Sequence, residues 1–82
     1  MVTYYVVQSF RVGRKGVLIA DEPWEAASER QATSAARRLA EERAGAIAFF
    51  RTGDPDTGDW EDAVILASHG LVPDEERMAK VG

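Results

Sequence analysis

The chain has 82 residues, 45% of them apolar and 29% charged, with a formal net charge of −4 and no cysteine. That length makes one domain with no room for a second core, and the missing cysteines exclude disulfides, thiolate metal sites and cysteine nucleophiles. The acidic balance excludes the simplest kind of nucleic-acid binder, because neutralising phosphate requires Lys and Arg clustered on one face.

The first residues, MVTYYVVQSFRV, lack a basic stretch followed by an apolar one, so no signal peptide is expected. No apolar run is longer than that from Ala63 to Ala67, which is far too short to span a membrane. The expectation is a soluble, cytoplasmic protein.

Thr3 to Val12 is dense in β-branched and aromatic residues and predicts the first strand. Gly13-Arg14-Lys15-Gly16 predicts a hairpin turn, and Val17 to Asp21 the returning strand. Pro23 should end regular pairing, since it lacks a ladder donor and restricts the residue before it.

Ser28-Glu29-Arg30-Gln31 fits a capping box that opens a helix. Ala32, Ala35, Ala36, Leu39 and Ala40 then recur at helical spacing as one apolar stripe, with Arg37, Arg38, Glu41 and Glu42 on the far side. Gly45 predicts the stop. A stripe built mainly of alanine lets the helix approach a flat surface such as a β-sheet.

Ala46 to Arg51 predicts a third strand and Glu61 to Ser68 a fourth, followed by a polar tail from Pro73 to Gly82 with room for one helical turn. The expected fold is therefore α+β: ββαββ, a four-stranded and mainly antiparallel sheet, with one helix on one face. The strand order 2-1-3-4 is preferred over 1-2-3-4, which would pair the second and third strands in parallel.

Between the last two strands runs RTGDPDTGDWED, residues 51–62, with five carboxylates in twelve positions. Either strand order puts this loop at the sheet end where the helix begins, and Arg14 and Lys15 at the end where it finishes. The helix dipole then gives both charge clusters a structural reason. Arg51 is positioned to fork onto a loop aspartate. Asp54, Asp56 and Asp59 also offer alternate oxygens to a calcium ion. An EF-hand loop, however, wants Gly at its sixth position and a bidentate Glu at its twelfth, where this sequence has Asp59 and Ile65. Asp and Gly serve turns for reasons of their own.

No catalytic constellation emerges. Glu61 and Asp62 are adjacent and on a strand would face opposite ways. The single histidine, His69, has neither hydroxyl nor acid placed beside it by the sequence, although Ser28 and Ser68 are the available hydroxyls. Gly45-Ala-Ile-Ala-Phe-Phe-Arg51 is faintly similar to the base-stacking motif of RNA-recognition domains. Those domains use two helices and a basic sheet, and one of Phe49 and Phe50 must turn toward the helix.

Tyr4 and Val6 point one way along the first strand, Tyr5 and Val7 the other. A sheet wet on one side should alternate more strictly. The second face is therefore expected to be covered by the tail and the Trp24 segment or by another copy of the chain, making a homodimer through that face or a strand edge.

The run FFRTGDPDTGDWEDAVILASHGLVPDE, residues 49–75, resembles the C-terminal half of small uncharacterised bacterial single-domain proteins. The resemblance implies a small α+β domain of unknown function and carries over no catalytic or ligand residue. The sequence reading is a non-enzymatic interaction module without a cofactor. It self-associates or binds a protein partner through the acidic 53–62 loop, with Asp54, Asp56, Asp59 and Trp60 as the candidate surface. Calcium bound by the same three aspartates is the alternative, and nucleic-acid binding on the sheet face is less favoured.

Overall fold

The computed structural model describes residues 1–73. The expected tail lies outside the described residues from position 74 onward. The fold is α+β, with one helix on a six-stranded antiparallel sheet. In chain order the elements are β1 (Val2–Val12), a 3₁₀ turn (Arg14–Gly16), β2 (Leu18–Ala20), β3 (Trp24–Ala26), α1 (Glu29–Glu42), β4 (Gly45–Asp54), β5 (Asp59–Trp60) and β6 (Val64–Gly70).

The long strands β1 and β4 form the spine, in unbroken register from Val2↔Gly53 to Phe10↔Gly45. On the outer side of β1, β2 pairs with Phe10–Val12 and β3 with Tyr5–Val7. On the outer side of β4, β5 pairs with Gly53 and Asp54, and β6 with the stretch from Gly45 to Phe50. The ββαββ count and the four-strand order 2-1-3-4 are not confirmed, because each outer position holds two short strands. Pro23 interrupts pairing as expected, but the chain re-pairs immediately at Trp24. This segment extends the sheet edge and does not lie across the second face.

The helix begins at Ser28 as expected, but the return bond of the capping box shifts by one residue, to the Ala27 amide. The Gln31 amide donates to Ser28 Oγ at 3.1 Å, and the Gln31 side chain accepts from the Ala27 amide at 2.6 Å. Ala32, Ala35 and Ala36 are buried against Val7, Ala26, Ala46 and Ala48, with Tyr5, Leu39, Leu66 and Ala67 packed around them. Small side chains on both surfaces allow close approach, at the expense of apolar area. Among the described residues, Phe10, Ile47 and Val7 are the only apolar side chains larger than alanine that are almost fully buried. Gly45 is not the helix stop. Arg43 is the C-cap, and Gly45 has no positive φ. A Cβ at Gly45 would collide with the backbone of Leu71, so glycine serves a close approach there.

Register parity assigns the faces. Tyr5, Val7, Ala46, Ala48 and Phe50 share the helix side; Tyr4, Val6, Phe10, Ile47, Phe49 and Arg51 share the other. Phe50 meets Tyr5 at 6.1 Å between ring centroids, which removes it from any base-stacking surface. Phe10 and Ile47 are buried on the second face, whose exposed apolar side chains lie at the two ends of β1, Val2 and Tyr4 at one and Val12 at the other.

Candidate functional site

The acidic segment folds as a tight hairpin between β4 and β5. Asp54 Oδ1 accepts from the Asp56 amide at 2.9 Å, and the Asp54 carbonyl accepts from the Gly58 amide at 2.8 Å. Gly58 has φ +80, and Thr57 Oγ1 accepts from the Asp59 amide at 3.3 Å. These are the bonds that Asx and Ser/Thr turns make with their own backbone. Among the described residues, no group of three or more His, Asp or Glu is arranged to hold a metal ion.

The hairpin and the helix start lie at the same sheet end: α1 follows Ala26, the partner of Tyr5, while Val2 pairs with Gly53. The helix meets its first donors with Ser28 and Gln31, and no described carboxylate of the loop bonds them. The dipole therefore does not account for the loop's charge through direct contact.

Trp60 departs from the aspartates. It pairs with Gly53 and so belongs to the second face, whereas Asp54 and Asp59 pair with one another at the next, opposite-facing position. Its indole lies over Gly53, where a Cβ would run into the ring. Tyr4 approaches the indole at 5.5 Å with the planes tilted by 32°, and the Arg51 guanidinium sits 5.6 Å from the ring centroid. Such a cation–π contact contributes about 0.5–2 kcal/mol. Arg51 stacks on the indole, and no described aspartate forms an ion pair with it. Its buried Nε has no hydrogen-bond partner.

Tyr4, Trp60 and Arg51 form one wall of a shallow groove of ≈ 490 Å³, completed by Val6, Pro23, Trp24 and Glu25. Tyr4 is 36% and Trp24 43% exposed. Trp24 reaches the rim of this depression from the β3 edge, but its pairing with Val7 assigns it to the helix side, where it also lines a second hollow. Of the residues expected to form a site, the structure separates Trp60 from Asp54 and Asp59 and joins it to Tyr4 and Arg51. The sequence marks Tyr4 and Trp24 only as apolar.

A second, more polar hollow of ≈ 670 Å³ runs between α1 and the β2–β3 linker, lined by Ser9, Asp21, Arg38, Glu42 and Arg43 among others. Asp21 organises it. The buried Ser9 hydroxyl donates to Asp21 Oδ2 at 2.9 Å, Arg11 Nε meets Oδ1 at 3.3 Å, and Arg43 Nε meets Oδ2 at 3.6 Å. The Gln8 amide donates to the Asp21 carbonyl. The Gln8, Ser9 and Arg11 bonds tie β1 to the linker, the Arg43 pair ties the linker to the helix end, and no nucleophile–base pair is present among them. Ser28 caps the start of α1, whereas His69 pairs beside Ala46 near its end, so those two never meet.

No described helix is long and apolar enough to cross a membrane. No family model, no curated protein and no solved structure matches the chain.

Proposed function

We propose that the chain is a small non-enzymatic interaction module. A protein partner docks at the Trp60 end of the sheet, into the groove lined by Tyr4, Val6, Arg51 and Trp60 and against the neighbouring acidic hairpin of residues 53–62. The observation that carries this reading is the concentration of exposed aromatic surface there. Partly exposed Tyr and Trp are the side chains on which protein contacts concentrate their energy. The carboxylates of Asp54, Asp56 and Asp59 form no ion pair with a described residue. A partner segment with an apolar anchor flanked by Lys or Arg suits both features. The absence of cysteine suits a reducing cytoplasm.

The calcium alternative has less support, because Asp54 already closes an Asx turn and Trp60 lies on the opposite face. Pull-downs from the source cell with the native chain, Trp60→Ala and the Asp54/Asp56/Asp59→Ala triple variant test the reading. Retention of the same proteins by the native chain and both variants would refute it. Melting curves with calcium or EDTA test the alternative, since an ion bound only by the folded state raises Tm.

A further inference from the structure

We propose that two copies of the chain pair antiparallel through the outer edge of β6, about a twofold axis, to give one continuous sheet. The two sheet edges are built differently. The β2–β3 edge consists of two three-residue strands separated by Pro23, and short strands and proline are how natural sheets close an edge. The β6 edge is seven residues long, VILASHG, with no Asp, Glu, Lys, Arg or Pro. Among the described strands, β6 pairs with β4 alone. One irregularity, the extra residue Leu66 between the pairs Ala48↔Ala67 and Phe49↔Ile65, interrupts this edge as bulges do and leaves the uncharged run of residues 67–70 as its regular part.

The occupant follows from two further observations. A strand edge is self-complementary under a twofold axis, and Val64 and Leu71, 47% and 57% exposed, add apolar surface at its two ends. The monomer also has a thin core: six of the nine buried apolar residues are alanines. So small a chain gains from burying more apolar surface by association. The groove lies toward β3 and β5 on the second face, so pairing through β6 leaves it open and yields a two-site assembly. This inference is independent of the groove reading, and each can fail alone.

The test uses the full chain, whose lack of cysteine makes a clean background. Light scattering on a concentration series is expected to show a mass approaching two chains. Val64→Lys/Ser68→Lys, which charges two exposed positions of the edge, should weaken the dimer by about tenfold or more. Single cysteines placed at each position from Val64 to His69 should cross-link under mild oxidation at one or two positions nearest the axis, while Val17→Cys at the other edge should not. This scan decides the matter if the double-lysine variant fails to fold. A strict monomer at high concentration, a dimer unaffected in a folded double-lysine variant, or cross-linking confined to Val17→Cys would overturn the proposal.

Discussion

The Trp60 indole occupies the space that a side chain on Gly53, its partner across the β4–β5 pair, would need. This one relationship orients the ring toward Tyr4 and Arg51 and so shapes the groove. Gly53→Ala should displace the indole and destabilise the fold by about 1–3 kcal/mol, the usual range for overpacking. A urea titration followed by tryptophan emission checks it, and an unchanged midpoint would show that the ring moves aside freely.

Asp21 joins Ser9 to Arg43. The two arginine pairs are largely exposed and contribute little each. The Ser9 hydroxyl is buried and depends on its acceptor. Asp21→Ala should therefore destabilise by about 1–3 kcal/mol, and Asp21→Asn, which keeps an acceptor oxygen, by clearly less. Equal losses in thermal melts of the two variants would show that charge dominates.

Ala32 and Ala36 are completely buried between helix and sheet. Ala36→Leu should separate the two layers and destabilise by about 1–3 kcal/mol or more. Ala36→Ser adds one polar atom with little volume and should be milder. Denaturant midpoints of the pair discriminate steric from polar effects.

Lys15 has φ +60, the only described non-glycine residue in the left-handed region. Asparagine tolerates that conformation better. Lys15→Asn should raise stability by about 0.5 kcal/mol and Lys15→Val should lower it by about 1–2 kcal/mol, with differential scanning calorimetry as the check.

The helix was legible because its signals are local: Ser28 and Gln31 lie three residues apart, and the alanine stripe repeats within 14 residues. The α+β class follows from one such helix among β-rich segments. The breaks within the outer strands were not legible, because re-pairing at Trp24 and at Val64 depends on the length of β1 and β4 beside them. The site was read in part. Trp60 stands out beside the acidic run, but its neighbour Tyr4 is 56 residues away, and only the β1–β4 register places Tyr4 opposite Arg51. The β4–β5 pairing puts Asp54 and Asp59 on the face away from Trp60, an alternation that follows once residues 59–60 are recognised as a strand and not as loop.

The most direct test of the groove as contact surface uses the only two tryptophans of the chain as reporters. Synthetic peptides with an aromatic or aliphatic anchor flanked by lysines or arginines are titrated into isotope-labelled protein, and the two indole N–H resonances are followed. The account predicts a saturable shift of the Trp60 indole signal with at least one such peptide, lost in Tyr4→Ala. A Trp60 signal that stays fixed across the panel, or that moves equally in Tyr4→Ala, would contradict it.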